Sequence, residues 1–460
     1  MNIIETFITA IKGDEKNFTS GSINRAIVLL AIPMILEMVM ESLFAVVDVY
    51  FVAQIGIDAV ATVGLTESVV TLVYSIAIGL SAAATAMVAR RIGENKPADA
   101  ATVAVQAIFV GGFISVLIGV AGVIFAEDIL RLMGGTESLI ASGVGYTRWM
   151  LGGNIVIVLL FLLNGIFRGA GDASLAMWSL WIANGLNIIL DPLLIFGWGP
   201  IPAFGITGAA MATNIGRGVG VAFQLFILFG GSSIIKVTTQ NLRIRWDYIQ
   251  RIINLAIGST FQFLIASASW IIMIRIIARF GSEAVAGYTI AIRLIIFTVL
   301  PSWGLSNAAS TLVGQNLGAK QSDRAETSVW RAAFFNMLFL LVVGIIFFAF
   351  APSLVGFFTT EADVIAAGIL TLRILSVSYI CYAYGMVIGQ AFNGAGDTYT
   401  PMMINFVCFW LIEIPLGYLF AVHFGWELAG VCIAIAIAET ALAVICILAF
   451  RRGKWKLKEV

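Results

Sequence analysis

Long runs of apolar residues, separated by short polar stretches, dominate the chain from about residue 25 to residue 450. A helix needs about 20 such residues to cross the hydrocarbon core of a bilayer. About twelve runs qualify, and they cover 25–52, 59–86, 101–125, 138–164, 174–198, 205–231, 250–278, 284–311, 327–351, 362–391, 400–422 and 427–450. Because the runs are continuous and do not alternate with polar residues, they predict membrane-spanning helices and not barrel strands.

The composition excludes several classes of protein. Of 460 residues, 60% are hydrophobic and 11% are charged, whereas soluble globular proteins carry about 25% charged residues. One soluble core cannot hide this much apolar surface, so the composition argues against a water-soluble enzyme. The 26 basic and 26 acidic residues balance, which leaves no basic face for nucleic acid. One His and four Cys exclude a Cys/His metal framework and a disulfide scaffold.

The basic residues predict the orientation in the membrane. They concentrate in the loops after the second, sixth and eighth runs and in the tail 451–460, while the loops 53–58, 199–204, 352–361 and 423–426 contain none. Loops rich in Lys and Arg stay in the cytoplasm. We therefore expect a multi-pass protein of the inner (plasma) membrane with both termini cytoplasmic.

The N-terminal segment 1–24 lacks the pattern of a cleaved signal peptide. Its apolar residues follow helical spacing and two lysines accompany them, which predicts a short helix on the membrane surface. A frayed tail is the alternative. The residues concerned are Ile3, Ile4, Phe7, Ile8, Ile11, Lys12 and Lys16.

An internal repeat relates the two halves of the chain at an offset of 225 residues. It aligns Gly56–Ala61 with Gly281–Ala286 and Gly169–Asp172 with Gly394–Asp397. The offset spans an even number of helices, so the halves have the same orientation, which is the parallel-repeat layout of secondary transporters. We predict an N-lobe at 25–231, a cytoplasmic linker at 232–249 and a C-lobe at 250–450, with a cavity between the lobes.

The repeated Gly-Ala-Gly-Asp sequence allows two interpretations. A Gly-x-Gly-Asp run also occurs in intramembrane aspartyl proteases, which would make Asp172 and Asp397 catalytic. Both copies lie in short predicted turns at symmetry-related places. We therefore favour a structural turn, with glycine at positive φ and aspartate bonded to the backbone.

Carboxylates inside the predicted spans are the strongest functional signal. Acids at membrane depth are costly and face a cavity or a partner. The first span places Glu37, Glu41 and Asp48 on one helical face, and the fifth places Asn184, Asn187 and Asp191 on one face. The second span adds Glu67. The repeat partners of the first three acids are Gln262, Ala266 and Met273, which leaves Glu413 and Glu439 as candidates in the second half.

This asymmetry indicates a cation site in the N-lobe. Asp48 and Asp191 could share a proton, or hold Na⁺ together with neutral oxygens. The alternative is a static hydrogen-bonded network between helices. Glu37 and Glu41 are further candidates for cavity acids, although an acid near the end of a span can simply face water. Pro33 lies inside the first span and makes that helix bendable.

Several stretches together resemble the multidrug and toxic compound extrusion (MATE) family. They are Leu43–Val52, Asn187–Gly197, Gly205–Thr213, Val313–Gly318 and Asn393–Asp397. The resemblance implies an all-α protein of twelve transmembrane helices in two pseudo-symmetric six-helix lobes, forming a V-shaped carrier. It implies export of organic, often cationic, compounds in exchange for H⁺ or Na⁺, by a monomer in a lipid bilayer with no other cofactor.

Carried over by position, the resemblance assigns the N-lobe cation site to Asp48, Asn187, Asp191 and Thr213, and the hinge of the first span to Pro33. The glutamate that the NorM-type branch uses in the seventh span is absent, because the chain has Gln262, Ala266 and Ser267 there. Coupling is therefore expected in the N-lobe. A flippase for lipid-linked precursors from the same superfamily is the alternative, and it would need a basic cavity. A passive channel is a further one.

Overall fold

The computed structural model describes residues 3–13, 18–231 and 233–460. Within these ranges the chain is a bundle of helices. Those of the first half are α1 (Ile3–Lys12), α2 (Ile23–Ala53), α3 (Ile57–Gly93), α4 (Pro97–Ile124), α5 (Ala126–Leu132), α6 (Glu137–Gly152), α7 (Asn154–Gly169), α8 (Ala173–Phe196) and α9 (Ile206–Phe229). Those of the second half are α10 (Trp246–Ile277), α11 (Ser282–Gly318), α12 (Ser322–Gly356), α13 (Ala362–Val377), α14 (Tyr379–Ala395), α15 (Tyr399–Asn405), α16 (Ile414–Tyr418) and α17 (Glu427–Arg451).

The described helices confirm the prediction of about twelve spans. Eleven are long and apolar enough to cross a membrane, and a twelfth arises if α13 and α14, bent by 58° at their junction, form one span. The span that begins with α15 contains two π-helical segments, Phe406–Glu413 and Leu419–His423, and is continuous from Tyr399 to His423. The spans form two six-helix lobes, the N-lobe (α2–α9) and the C-lobe (α10–α17).

The predicted N-terminal surface helix corresponds to α1. The helix packs against α2, and its Ile11 carbonyl accepts a hydrogen bond from Trp178 Nε1 at 3.3 Å. Ile4, Phe7 and Ile8 stay exposed, as an apolar face that rests on a bilayer would require. Its place at the membrane surface stays a prediction, and Lys16 lies outside the described residues.

The first helix of each lobe packs partly into the other lobe. The beginning of α2, from Ala26 to Met34, shares a hydrophobic core with Leu305 and Leu312 of the C-lobe, whereas its later turns pack against α8. Likewise Ile252 of α10 belongs to the N-lobe core. Pro33 therefore lies where α2 passes from one lobe to the other.

The two lobes are in contact at the end of the molecule that carries the basic loops. There the symmetry-related glycines Gly93 and Gly318 let α3 and α11 approach closely. A Cβ on Gly93 would collide with the Gln315 carbonyl oxygen, and one on Gly318 would collide with that of Arg90. Gln315 Nε2 also donates to the Gly169 carbonyl at 3.1 Å. The lobes are thus closed at this end.

The C-terminal tail lies across this closed end. Its Lys458 pairs with Asp397 at 3.3 Å, while the Lys458 carbonyl accepts a hydrogen bond from Arg90 Nη2 at 2.8 Å. Trp455 is fully buried and stacks on Phe450 with ring centroids 4.6 Å apart. Arg90 belongs to α3, so the tail contacts both lobes.

The two Gly-Ala-Gly-Asp copies are equivalent turns, as expected. Gly171 and Gly396 have φ of +86° and +84°, a region that glycine enters without steric cost. That the aspartates bond the backbone stays a prediction. Asp172 accepts from the Ser174 hydroxyl at 3.1 Å, and Asp397 accepts from Thr400 at 2.8 Å. Each aspartate thus has a partner in its own turn, and Asp397 in addition pairs with Lys458 of the tail.

Candidate ion and substrate sites

The three acids of α2 occupy three levels of one polar network inside the N-lobe. Glu37 lies deepest, with 1% of its surface exposed. Its Oε1 accepts from Asn164 Nδ2 at 2.9 Å and pairs with Arg168 Nη1 at 3.5 Å. Arg168 also donates to Ser81 Oγ at 3.1 Å. Glu37 is therefore the partner of a buried arginine and ties α2 to α3 and α7.

Glu41 forms the second level, one helical turn further along α2. Its Oε1 pairs with Arg217 Nη2 at 3.0 Å, and its Oε2 accepts from Asn184 Nδ2 at 2.9 Å. The Arg217 side chain is 1% exposed, and its guanidinium carbon lies 5.3 Å from the Phe44 ring centroid and 5.9 Å from that of Tyr74. Burial between two rings strengthens the attraction of a guanidinium to each ring.

Asp191, Asn187 and Thr213 form the third level, and the structure brings them into contact. In the amide orientation that satisfies both neighbours, Asn187 donates to Asp191 Oδ2 at 2.9 Å. Its oxygen then accepts from the Thr213 hydroxyl at 3.2 Å and from the Thr213 backbone N–H at 2.9 Å. Asp191 is completely buried, and its Oδ1 has no hydrogen-bond partner among the described residues.

Asp48 lies beside this triad without a hydrogen bond to it among the described residues. Its charge interacts with those of Asp191, Glu67 and Arg217. Tyr146 of α6 interacts electrostatically with both Asp48 and Asp191. Asp48 is half-buried, and Glu67 is exposed at the surface of the protein. The third level thus joins a buried carboxylate to two accessible ones.

The two buried arginines were missed by reasoning from acids alone. Arg217 stands in the middle of an apolar run, and Arg168 follows the fourth run by one turn. A basic residue at membrane depth needs a partner as much as an acidic one does. The position of Arg217 inside an apolar run therefore indicates a buried partner for it. The basic cavity that a flippase would need is not built from these two residues, because each pairs with a glutamate.

The C-lobe acids also lie inside the protein. Glu413 is 6% exposed, and its Oε1 accepts from Ser269 Oγ at 3.2 Å. Glu439, on α17, interacts electrostatically with Glu413. Both line one cavity of about 550 Å³. In the described part of the chain no three His, Cys, Asp or Glu side chains group closely enough to hold a metal ion.

Comparison with known proteins identifies the family. The family model MatE matches residues 33–193 and 259–419, one match in each lobe. The chain belongs to the MATE family. It is a membrane transporter and not an enzyme, and its fold is that of the two six-helix lobes of MATE structures.

Curated relatives and solved structures agree with this assignment. The chain is 26% identical over 439 residues to the probable multidrug resistance protein NorM of Thermotoga maritima, covering 95% of this chain and 94% of that protein. It is 24% identical over 444 residues to the probable multidrug resistance protein YoeA of Bacillus subtilis, covering 95% and 96%. A crystal structure of MATE in complex with MaL6 superposes with a TM-score of 0.90, at 27% identity over 96% of this chain and 99% of that one.

Both curated relatives bear the name of a probable multidrug resistance protein. As a member of the family, this chain is an integral membrane protein.

Proposed function

We propose that the transporter exports organic compounds in exchange for protons, and that Asp191 and Asp48 of the N-lobe carry the coupling proton. The observation that carries this proposal is the unpartnered Oδ1 of a completely buried Asp191. A buried carboxylate oxygen without a donor is costly while it is charged. Binding one proton removes that cost.

The hydrogen bonds around Asp191 favour a proton over Na⁺. In the amide orientation that satisfies both neighbours, Asn187 directs its N–H toward Asp191 and its oxygen toward Thr213. The amide oxygen is therefore engaged by two donors and does not face the carboxylate. Na⁺, like other hard cations, would need several oxygens converging on one point, whereas a proton needs only the free Oδ1.

Asp48 connects the buried site with the surface. It is half-buried, and its charge interacts with those of the buried Asp191 and the exposed Glu67. A proton that enters by way of Glu67 and Asp48 reaches Asp191 through groups that can each hold it. The fixed positive charge of Arg217 nearby offsets part of the negative charge that the carboxylates carry once the proton has left.

Proton binding changes how α2 packs. When Asp191 is neutral its repulsion of Asp48 disappears, so α2 and α8 can approach. The first turns of α2 pack in the C-lobe core and its later turns against α8, and Pro33, where a backbone hydrogen bond is missing, serves as the hinge between them. A proton biases the carrier because its affinity differs between the two arrangements.

The proposal also covers orientation, working unit and lobe boundaries. We assign the end with the basic loops, and both termini, to the cytoplasmic side of the inner (plasma) membrane. We propose a monomer as the working unit, with the N-lobe at 25–231, the linker at 232–249 and the C-lobe at 250–450. The lobes touch at this end, so the described arrangement has its cytoplasmic side closed. A flippase has less support, because both buried arginines are paired.

The test is export of ethidium from proteoliposomes under an imposed pH gradient or an imposed Na⁺ gradient. We expect the pH gradient alone to drive export, and we expect Asp191→Asn and Asp48→Asn to reduce that export to the level of empty liposomes. Asp58→Asn, an exposed acid at the start of α3, is the matched control and should export normally. Export driven equally well by Na⁺ without a pH gradient, or normal export by Asp191→Asn, would contradict the proposal.

A further inference from the structure

A groove on the surface of the C-lobe lies between the last turns of α10 and the span that contains α15 and α16. Its volume is about 740 Å³, within the range of small-molecule sites, which is roughly 300–1,000 Å³. Ile272 and Ile276 line one wall, and Ile414 and Leu419 line the other. No described residue lines both this groove and the C-lobe cavity of about 550 Å³, so the groove is a separate space.

The groove lies at the end of the C-lobe opposite the basic loops. Helix α10 begins at Trp246, directly after Arg243 and Arg245, and has 32 residues, whereas about 20 cross the hydrocarbon core. Its last turns therefore reach the headgroup region on the opposite side. Tyr418 and Trp426, each 48% exposed, fit the same level, because Tyr and Trp collect where membrane meets water. The groove thus opens at a membrane surface.

Two arginines line the groove without a counter-charge from the described chain. Arg275 and Arg279 are both exposed, and they lie one helical turn apart on the same face. Neither forms an ion pair with a described residue, and the acids that begin α11 and α17, Glu283 and Glu427, do not line the groove. Basic residues are depleted at the end of a membrane protein away from the cytoplasm. The two arginines therefore form an uncompensated positive site at that surface.

The opposite wall holds Arg279 at the mouth of the groove. The Arg279 guanidinium carbon lies 5.4 Å from the ring centroid of Tyr418, within the range of a cation–π contact. The contact orients the guanidinium and leaves its charge available. A guanidinium presents N–H donors in a fixed fork that binds two oxygens of one phosphate. Arg275 adds a second fork one turn away, so the groove presents the donors that a phosphodiester accepts.

The rest of the groove is mainly apolar. Its second wall is α16, which lies between two π-helical segments, an irregularity that is frequent at functional sites. Pro415 in this wall has no backbone N–H to offer a ligand. Hydrocarbon placed against the isoleucine and leucine side chains leaves water, which is favourable in proportion to the area covered. A free phosphate ion would contact only the mouth, whereas a phospholipid would contact both parts.

We propose that this groove binds an anionic phospholipid, with the phosphate between Arg275 and Arg279 and an acyl chain along Ile272, Ile276 and Leu419. The lipid comes from the leaflet opposite the basic loops. Naming that leaflet the outer one rests on the proposed orientation of the transporter. Binding itself depends neither on that orientation nor on the coupling ion, so it is measured without a gradient.

The experiment titrates the purified full chain in detergent with dioleoyl phosphatidylglycerol and measures the Kd of the first bound lipid by native mass spectrometry. We expect Arg275→Gln/Arg279→Gln to raise this Kd at least about tenfold. The Kd for the zwitterionic dioleoyl phosphatidylcholine should change less, because that lipid gains less from the net positive charge. Arg451→Gln/Arg452→Gln, which removes two exposed charges at the end with the basic loops, is the matched control and should bind phosphatidylglycerol normally.

A second variant tests the apolar part independently of the charges. Leu419 lines the groove and is 36% exposed, so Leu419→Trp should fill the groove and weaken binding of both lipids. Excess inorganic phosphate should not displace phosphatidylglycerol, because the ion does not cover the apolar walls.

Three results would overturn the proposal. The first is unchanged phosphatidylglycerol binding in Arg275→Gln/Arg279→Gln or in Leu419→Trp. The second is an equal loss in Arg451→Gln/Arg452→Gln, which would show a general attraction of the lipid to basic residues. The third is displacement of the lipid by phosphate, which would reduce the site to an anion site at the mouth. Phosphatidylglycerol should also raise the thermal unfolding midpoint of the unaltered chain more than that of Arg275→Gln/Arg279→Gln, since a ligand stabilises the state that binds it.

Discussion

The two lobes share a backbone plan and differ in the charges they bury. In the N-lobe, Glu37 pairs with Arg168. At the positions 225 residues further along, Gln262 and Asn393 form a reciprocal amide pair. The same crossing of helices is therefore joined by an ion pair in one lobe and by a neutral pair in the other. Symmetry of the fold does not extend to its chemistry.

The two lobes differ more at the second level of the polar network. Glu41 and Arg217 form a buried ion pair in the N-lobe, while the corresponding positions in the C-lobe are Ala266 and Leu442. Both of these residues line the C-lobe cavity. Replacing an arginine and a glutamate by smaller apolar residues opens the space that the ion pair fills in the N-lobe. We infer that the N-lobe is specialised for charge transfer and the C-lobe for holding a ligand.

The largest expected effect separates these two specialisations in a transport assay. Asp191→Asn should abolish export driven by a pH gradient at every substrate concentration. Glu413→Gln/Glu439→Gln should instead raise the ethidium concentration needed for half-maximal export about tenfold, while the response to the gradient remains. Proteoliposome export measured over a range of ethidium concentrations distinguishes the two. The assignment of coupling to the N-lobe and of ligand binding to the C-lobe is wrong if both variants lose the response to the pH gradient.

The next effect concerns the ion pair that the C-lobe lacks. Arg217→Leu leaves Glu41 as a largely buried charge without its partner, which costs about 3–5 kcal/mol when a buried pair is broken. The thermal unfolding midpoint in detergent should fall markedly. Glu41→Ala/Arg217→Leu, which copies the C-lobe residues, should recover much of the loss. A double variant no more stable than Arg217→Leu would show that the unpaired charge is not the cause.

A smaller effect is expected at the hinge. The position 225 residues after Pro33 is Gly258, so a proline interrupts the first helix of the N-lobe only. Pro33→Ala restores a backbone donor and stiffens α2. Export should slow, by less than in Asp191→Asn, while the ethidium Kd stays as in the unaltered protein. A weakened Kd in this variant would instead indicate a packing role for Pro33.

The smallest effect is expected from copying the neutral pair. Glu37→Gln/Arg168→Asn replaces the ion pair by the residues found at Gln262 and Asn393. A buried ion pair replaced as a unit is often near neutral, so the unfolding midpoint should change little and export should persist. Glu37→Gln alone should be less stable than this double variant, because it leaves Arg168 unpaired. Loss of pH-driven export in the double variant would assign Glu37 to the proton pathway.

Sequence reasoning named candidate residues but not all of their partners. It predicted a cation site of Asp48, Asn187, Asp191 and Thr213, and the structure brings the last three into contact. It grouped Glu37 and Glu41 with Asp48 because they share a helical face, whereas their arginine partners come from α7 and α9. A helical face is a local property, but a partner lies some 130 or 180 residues away in the chain.

The sequence by itself determined the number and type of spans, the repeat and the family, because runs of apolar residues and short motifs are local and survive in any arrangement. Only the tertiary structure decided that the beginning of α2 belongs to the C-lobe core, that the tail lies across both lobes, and that Glu413 and Glu439 share an aromatic cavity. These features depend on which helix faces are brought together. Nearly every face in a membrane bundle is apolar, so the hydrophobic pattern alone does not specify the pairing.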